Sequence, residues 1–252
     1  MGCLYCKIKY DISLLVNINK EIQNLRSLDF AEMQDFVVAL GEPRFRGEQL
    51  FRWVHGRQAQ TLEEMTDLSK TLRARLQEKA MIEGLTIQQE SASKDGTRKL
   101  LFKTHDNRIM ESVLIPEAGS IDDLDEEEYG TRKLTQCISS QVGCAIDCNF
   151  CATAKLGFGR HLSTAEILSQ IYQAEALLGQ LPEDDATRVL GAQKLTNIVF
   201  MGMGEPLHNY DNIIRSLRIL LHPLGRSFSR RRITLSTSGL IPAIEKLGQE
   251  NL

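Results

Sequence analysis

Three cysteines, Cys144, Cys148 and Cys151, stand in a C-x3-C-x2-C pattern inside the stretch from Thr135 to Leu162. Spacing this close puts three thiolates on one tight loop, where soft sulfur donors suit an iron-sulfur cluster, zinc or copper(I). A closed structural site wants a fourth ligand nearby, and none follows at ordinary zinc spacing. The pattern therefore points to a cluster with one iron left open to a ligand that takes part in chemistry, with zinc as the alternative. Phe150, one position before the last cysteine, is an aromatic of the kind that shields the open face of a cluster.

Other residues have chemical potential and a plainer structural explanation. Gly202-Met203-Gly204-Glu205-Pro206 follows an apolar strand pattern, and glycines there let backbone approach a ligand while the glutamate accepts from an ammonium group. The same run also suits an ordinary strand-to-helix turn. Ser236-Thr237-Ser238-Gly239 ends another strand, where hydroxyls suit a carboxylate or ribose. Glu111 sits amid apolar neighbours in Met-Glu-Ser-Val-Leu-Ile-Pro. Desolvation there would raise its proton affinity and make it a base, whereas an outward strand position is the commoner fate. Cys137, taken alone, is an inert cysteine on a strand.

The runs Gln-Cys-Ile-Ser-Ser-Gln-Val-Gly-Cys, Cys-Asn-Phe-Cys-Ala-Thr-Ala and Gly-Phe-Gly-Arg resemble the RlmN/Cfr family of radical S-adenosylmethionine (SAM) RNA methyltransferases. The resemblance implies a 4Fe-4S cluster on Cys144, Cys148 and Cys151, and SAM held by Gly204, Glu205 and Ser236. It also implies Glu111 as proton acceptor and Cys137 as resolving cysteine. Carbon 2 of adenine has neither an acidic hydrogen nor nucleophilic character, so the implied chemistry is radical. A methyl group carried on one cysteine is passed to the ring, and Cys137 then releases the adduct by forming a transient disulfide.

The elements that must position these groups follow from the pattern. The expected fold is α/β, the N-terminal part of a radical SAM partial (β/α)6 barrel, preceded by a small helical domain and a β-hairpin region. Residues 1–27 form an extension in which Cys3 and Cys6 make a C-x2-C pair without a second half. Residues 28–84 read as helical: Asp29 caps a helix with Met33, Phe36, Val37 and Leu40 on one face, a second helix holds Gly47 to Val54, and a third runs from about Ser69 to Lys79. Arg44, Arg46, Arg52 and Arg57 interleave there with Phe45, Phe51 and Trp53, a pattern that suits RNA as well as a core with a solvated rim. Pro43-Arg44-Phe45-Arg46-Gly47-Glu48-Gln49-Leu50 resembles the family's helical domain and favours RNA.

Residues 85–131 read as a β-hairpin linker with turns at Asp95-Gly96 and Asp106-Asn107, followed by an acidic loop over 121–130. Residues 132–252 read as the first half of the barrel. A first strand covers Arg132 to Val142, and Ser163 to Glu166 form a capping box opening a helix with Ile167, Ile171, Ala174 and Leu178 on one face. Strands follow at Leu195 to Met201 and Ile233 to Leu235, with a helix between them at about Asp211 to Leu221.

At 252 residues with net charge −3, the chain holds one large or two smaller domains and has no global nucleic-acid signature. Six cysteines, three of them clustered, suggest a metal site in a reducing compartment, and no apolar run approaches the roughly 18 residues of a membrane span. A cytoplasmic monomer is expected, with 23S rRNA and tRNA as partners and an electron donor such as flavodoxin. The family's methyl-carrying cysteine lies near its C-terminus, but no cysteine follows Cys151, so an incomplete, inactive copy is expected. The family's adenine-C8 branch shares these motifs, and C2 is preferred as the housekeeping activity. A different radical SAM reaction, such as glycyl-radical activation, would use the same cluster loop but leaves Cys137 and Glu111 without a part. A zinc-bound RNA-binding module would instead take His161 or Cys137 as fourth ligand.

Overall fold

The computed structural model describes residues 22–117, 132–191 and 194–252. The expectations for Cys3, Cys6 and the acidic loop lie outside the described residues. The chain enters through a short strand β1 (Gln23–Asn24), which pairs in parallel with β2 (Ala80–Met81) and so closes the helical region between them. That region holds α1 (Phe30–Ala39), α2 (Phe45–Phe51) and α3 (Lys70–Lys79). At the start of α1, Asp29 accepts from Glu32 N at 3.0 Å while Glu32 accepts from Asp29 N at 2.9 Å, so two otherwise unpaired amides are satisfied reciprocally. Met33, Phe36 and Val37 are buried beneath it, as their spacing predicts. The second helix departs from expectation: it begins at Phe45 and passes at Arg52 into a π-helical turn ending at Gly56.

A six-stranded mixed sheet follows. Its members are β3 (Thr86–Ala92), β4 (Arg98–Lys103), β5 (Ile109–Pro116), β6 (Leu134–Cys137), β9 (Asn197–Phe200) and β10 (Ile233–Leu235). They lie in the order β10-β9-β6-β5-β4-β3. The pairs β6/β9 and β9/β10 are parallel, whereas β3, β4 and β5 join antiparallel through β5/β6. The hairpin region thus continues the sheet of the parallel strands. Gly96 and Asn107, with φ of 76° and 61°, make the two turns at the expected places.

The parallel strands are connected by helices, as parallel pairing requires. α4 (Thr164–Leu178) starts at the expected Ser163/Glu166 capping box, and its buried residues include Ile167, Ile171, Ala174 and Leu178. A short helix α5 (Ala186–Leu190), not foreseen, precedes β9, and α6 (Tyr210–Leu221) links β9 to β10. The last helix is α7 (Ile241–Leu247). One face of the sheet, including Leu100, Met110, Leu114, Leu134, Ile198 and Phe200, joins the core that also takes in α4, α6 and the helical region.

The first barrel strand differs from expectation. Arg132 to Val142 divides into β6 and a separate β7 (Gln141–Gly143), which pairs antiparallel with β8 (Phe158–His161). The cysteine loop therefore rides on its own hairpin. Two polar contacts lock the helical region to α4 and α6. Buried His55 places Nδ1 2.9 Å from the Tyr172 hydroxyl of α4 and Nε2 3.1 Å from Leu28 O. Arg215 of α6 reaches both oxygens of Glu32 at 2.9–3.0 Å.

Candidate functional site

The cysteine hairpin is built on backbone that only its glycines permit. Gly143 has φ of 75°, and a Cβ there would lie 1.8 Å from Gly157 O, the carbonyl that accepts from Cys144 N at 3.0 Å. Cys148, Cys151 and Ala154 then step round a tight turn, with Cys151 N donating to Cys148 O at 3.0 Å and Ala154 N to Cys151 O at 3.2 Å. All three thiols are free and partly accessible. Backbone amides of Ala154 and Thr153 hold the Cys151 thiol below its ordinary range, which favours the thiolate that a metal needs. Among the described residues no three His, Cys, Asp or Glu side chains stand gathered at metal-binding distance. The donor set, three soft sulfurs on one exposed loop, nevertheless suits an iron-sulfur cluster. Phe150, expected to shield it, is 93 % exposed and covers nothing.

Beside this hairpin the Gln136 to Gln141 segment is a buried polar scaffold. Gln136, Ser139, Ser140 and Gln141 are all at most 1 % exposed. Ser139 Oγ donates to Glu111 O at 2.6 Å and accepts from Met203 N at 2.7 Å, while Gln170 of α4 bonds Ser139 N and O at 2.8 and 2.9 Å. Gln141 Oε1 accepts from Glu205 N at 2.9 Å, and its Nε2 lies 3.0 Å from His161 Nδ1 and 3.3 Å from His208 Nδ1. These links join the strand carrying Glu111, the cysteine hairpin and the Gly202 to Pro206 loop. None of the four buried polar residues was given a role from the sequence, although all four lie in the Gln136 to Cys144 run that carries the family resemblance.

Gly204 has φ of 100°, and a Cβ there would come within 2.5 Å of the Gln141 side chain. Glu205 is 4 % exposed, its two oxygens accepting from Leu207 N at 3.0 Å and Ser238 N at 2.7 Å. The carboxylate thereby ties the loop after β9 to the loop after β10. Each of its oxygens keeps a lone pair for a further donor. Ser236 is exposed at the end of β10, while the contact to Glu205 comes from Ser238.

Glu111 and Cys137 occupy the sheet face that the helices leave uncovered. Cys137 pairs in register with Val113 and Val199, and Glu111 lies two residues before Val113, on the same face. Of the apolar neighbours of Glu111, Met110 and Leu114 point the other way, into the core, while Val113 and Ile115 share its face. Its side chain is 47 % exposed with Lys99 Nζ at 3.4 Å, so of the two positions weighed from the sequence, the outward strand position is the one the fold gives and the desolvated one is not. Burial pushes the Cys137 thiol up, opposed by a backbone hydrogen bond from Met201. His161, weighed as a fourth metal ligand, is instead half-buried against Gln141 and His208, with its imidazole pKa lowered by burial and by His208.

Comparison with known proteins matches this layout. Residues 23–82 match the ribosomal RNA large subunit methyltransferase N-terminal domain, and residues 138–251 match the radical SAM superfamily. Proteins named dual-specificity RNA methyltransferase RlmN share 42 % identity over 227 residues in Alcanivorax borkumensis and 43 % over 230 residues in Nitratidesulfovibrio vulgaris. These alignments take in 90 % and 91 % of this chain. The chain belongs to the RlmN branch of the radical SAM family. A crystal structure of a radical SAM methyltransferase from Sphaerobacter thermophilus superposes with a TM-score of 0.73 at 38 % identity, covering 91 % of this chain and 61 % of that one. The chain spans 55 % and 59 % of the two RlmN relatives. Radical SAM membership implies a 4Fe-4S cluster and SAM as cofactors.

Proposed function

We propose that the chain carries the cluster, SAM and resolving-cysteine part of a radical SAM RNA methyltransferase acting on C2 of adenosine in 23S rRNA and in tRNA anticodon loops, through a methyl-cysteine intermediate; no cysteine follows Cys151 in this chain to carry that methyl group. When bound, the cluster and SAM supply the radical chemistry that an unactivated ring carbon requires. Cys144, Cys148 and Cys151 hold the cluster, and Gly204, Glu205 and Ser236 hold SAM. One observation supports this above the others: Cys137 and Glu111 share the open sheet face beside the cysteine hairpin. They form a diagonal pair on neighbouring strands, typically ~7 Å apart, close enough to serve one bound base. Glu111, open to solvent, accepts the proton that the covalent adduct gives up. Cys137, which must give up its thiol proton to react, then attacks the sulfur of the methyl-carrying cysteine: the S–S bond forms as the bond from that sulfur to the ring-bound carbon breaks, and the released carbon takes up a proton to become the methyl group.

Residues 28–84 act as the RNA-binding accessory region and 85–131 as its connection to the radical SAM part, 132–252. A low-potential donor such as flavodoxin reduces the cluster, and the protein works as a cytoplasmic monomer. No helix among the described residues is long and apolar enough to cross a membrane. Oxygen-free reconstitution tests the core of the proposal. About four irons and four sulfides per chain are expected, with SAM altering the paramagnetic resonance of the reduced cluster and Cys144→Ser losing both. Tetrahedral zinc at the three cysteines, or a cluster indifferent to SAM, would overturn it.

A further inference from the structure

The arginines and aromatics of the helical region are not equivalent once folded. Phe51 is fully buried against Phe30, His55 and His222, so it is core. Arg44 is paired with Asp35 at 3.2 Å and Arg52 with Glu48 at 2.7 Å. Arg46 and Arg57 have no carboxylate partner among the described residues. The Arg46 guanidinium instead sits 4.9 Å from the centre of the Phe45 ring, and that of Arg57 sits 4.1 Å from the centre of the Trp53 ring. Phe45 is 54 % exposed. Trp53 is half-buried and fixed by its indole N–H, which donates to Asp67.

Phe45, Trp53, Arg52 and Arg57, together with Gln49, line a cavity of about 370 Å³. Gln49 Oε1 accepts from Arg46 Nη1 at 2.7 Å, so its NH2 group remains to donate. Both acidic residues of the wall, Glu48 and Asp67, are already engaged. What remains is a pocket with two aromatic rings, the Gln49 NH2 group and the Arg57 guanidinium, which no carboxylate engages among the described residues. Aromatic faces and guanidinium planes stack on unpaired bases, and spare cations meet the adjoining phosphates.

We propose that this pocket binds one unpaired nucleobase of an RNA strand, stacked against Phe45 and the Trp53–Arg57 pair, with Arg46 and Arg57 serving the flanking phosphates. It rests on the RNA reading above and deepens it by naming where the strand is gripped away from the cluster.

Trp53 is the only tryptophan in the sequence, so its fluorescence reports on the pocket alone. The reconstituted chain is titrated with an oligoadenylate of about ten nucleotides and with an abasic ribose-phosphate oligomer of the same length, following both tryptophan emission and oligomer anisotropy. The oligoadenylate should quench Trp53 and the abasic oligomer should not. Phe45→Ala, at an exposed position, should weaken oligoadenylate binding about 10-fold, as loss of one base–aromatic stack does. Arg57→Gln should weaken it and flatten its salt dependence. Equal binding of both oligomers, unquenched binding, no binding, or a Phe45→Ala change within twofold each overturns the pocket. Iron content and the SAM-dependent resonance signal, read on the same samples, show separately whether the radical SAM assignment fails.

Discussion

Replacing Gln141 by leucine removes an amide that is fully buried and joins three parts of the site. The side chains are similar in volume, so the cavity contribution is small and the lost hydrogen bonds decide the outcome. His208 is exposed and its Nδ1 gains water; half-buried His161 is compensated in part. Glu205 is 4 % exposed, and its N–H loses the Gln141 oxygen at 2.9 Å with no replacement within the leucine side chain. A buried amide left unpaired costs about 1–3 kcal/mol, so a stability loss of about 2 kcal/mol is expected in urea denaturation.

The same N–H fixes the peptide between Gly204 and Glu205, the residues proposed to hold SAM. Calorimetric titration of the reconstituted protein should therefore show SAM binding weakened on the order of 10-fold. Gln141→Glu separates the two halves of the amide. Its carboxylate still accepts from Glu205 N–H but donates nothing to neutral imidazoles, so SAM affinity should return towards the original while the imidazole pKa of His161 rises. A leucine variant with an unchanged urea midpoint and SAM affinity within twofold would show that Gln141 does not position Glu205. Equal losses in both variants would assign the effect to the imidazole pair.

Three further outcomes are expected. Gly143→Ala should abolish cluster incorporation, because its Cβ would fall 1.8 Å from Gly157 O; iron content after reconstitution checks this. Arg160→Leu strips Asp106 and Glu166 of a shared partner at 2.8 and 2.7 Å. With the arginine 27 % and Asp106 33 % exposed, screening reduces the cost of a broken buried pair to about 2 kcal/mol, and hydrogen exchange at residues 158–161 should quicken. Burial holds His55 down to about 3, against the raising effect of its bond to Leu28. Its unfolded value is about 6.5, so the unfolded chain binds a proton in that window which the folded chain refuses. The neutral His55 arrangement is fully retained above pH ~6.5, and stability falls below it by up to about 1.4 kcal/mol per pH unit. Urea denaturation at pH 7 and 5 should show this drop, and His55→Gln should lessen it.

The helices and turns were legible because short-range chemistry sets them. Asp29 and Ser163 announce capping boxes within four residues, and Gly96 and Asn107 supply the left-handed backbone that their turns need. The desolvated alternative for Glu111 came from counting its neighbours without their faces. Met110, Ser112 and Leu114 point into the core, while Glu111, Val113 and Ile115 point out, so strand period alone separates them. The β7/β8 hairpin was not legible: β7 has three residues, too few for a period, and its partner lies beyond the whole cysteine loop. The division of labour among the arginines was hidden for a related reason. Which of them meets Asp35 or Glu48 depends on three-dimensional neighbours.

The two faces of the sheet explain why each sequence motif supplies few reactive groups and many supporting ones. On β6 and just beyond it, Gln136 and Ser139 turn inwards, and their bonds to Ser112, Gln170, Glu111 O and Met203 N fix the end of the strand. Cys137, between them, faces outwards beside Val113 and Val199. A buried polar group left unpaired costs about 1–3 kcal/mol, so the inward residues, paired except at Gln136 Oε1, are tightly constrained. That constraint carries over to the next loop: Gln141 holds the amide of Glu205, and Glu205 holds the amide of Ser238, connecting the ends of successive parallel strands. A change at any member of this chain is expected to disturb SAM binding before it disturbs the reactivity of Cys137, whose thiol environment is set by burial and by Met201.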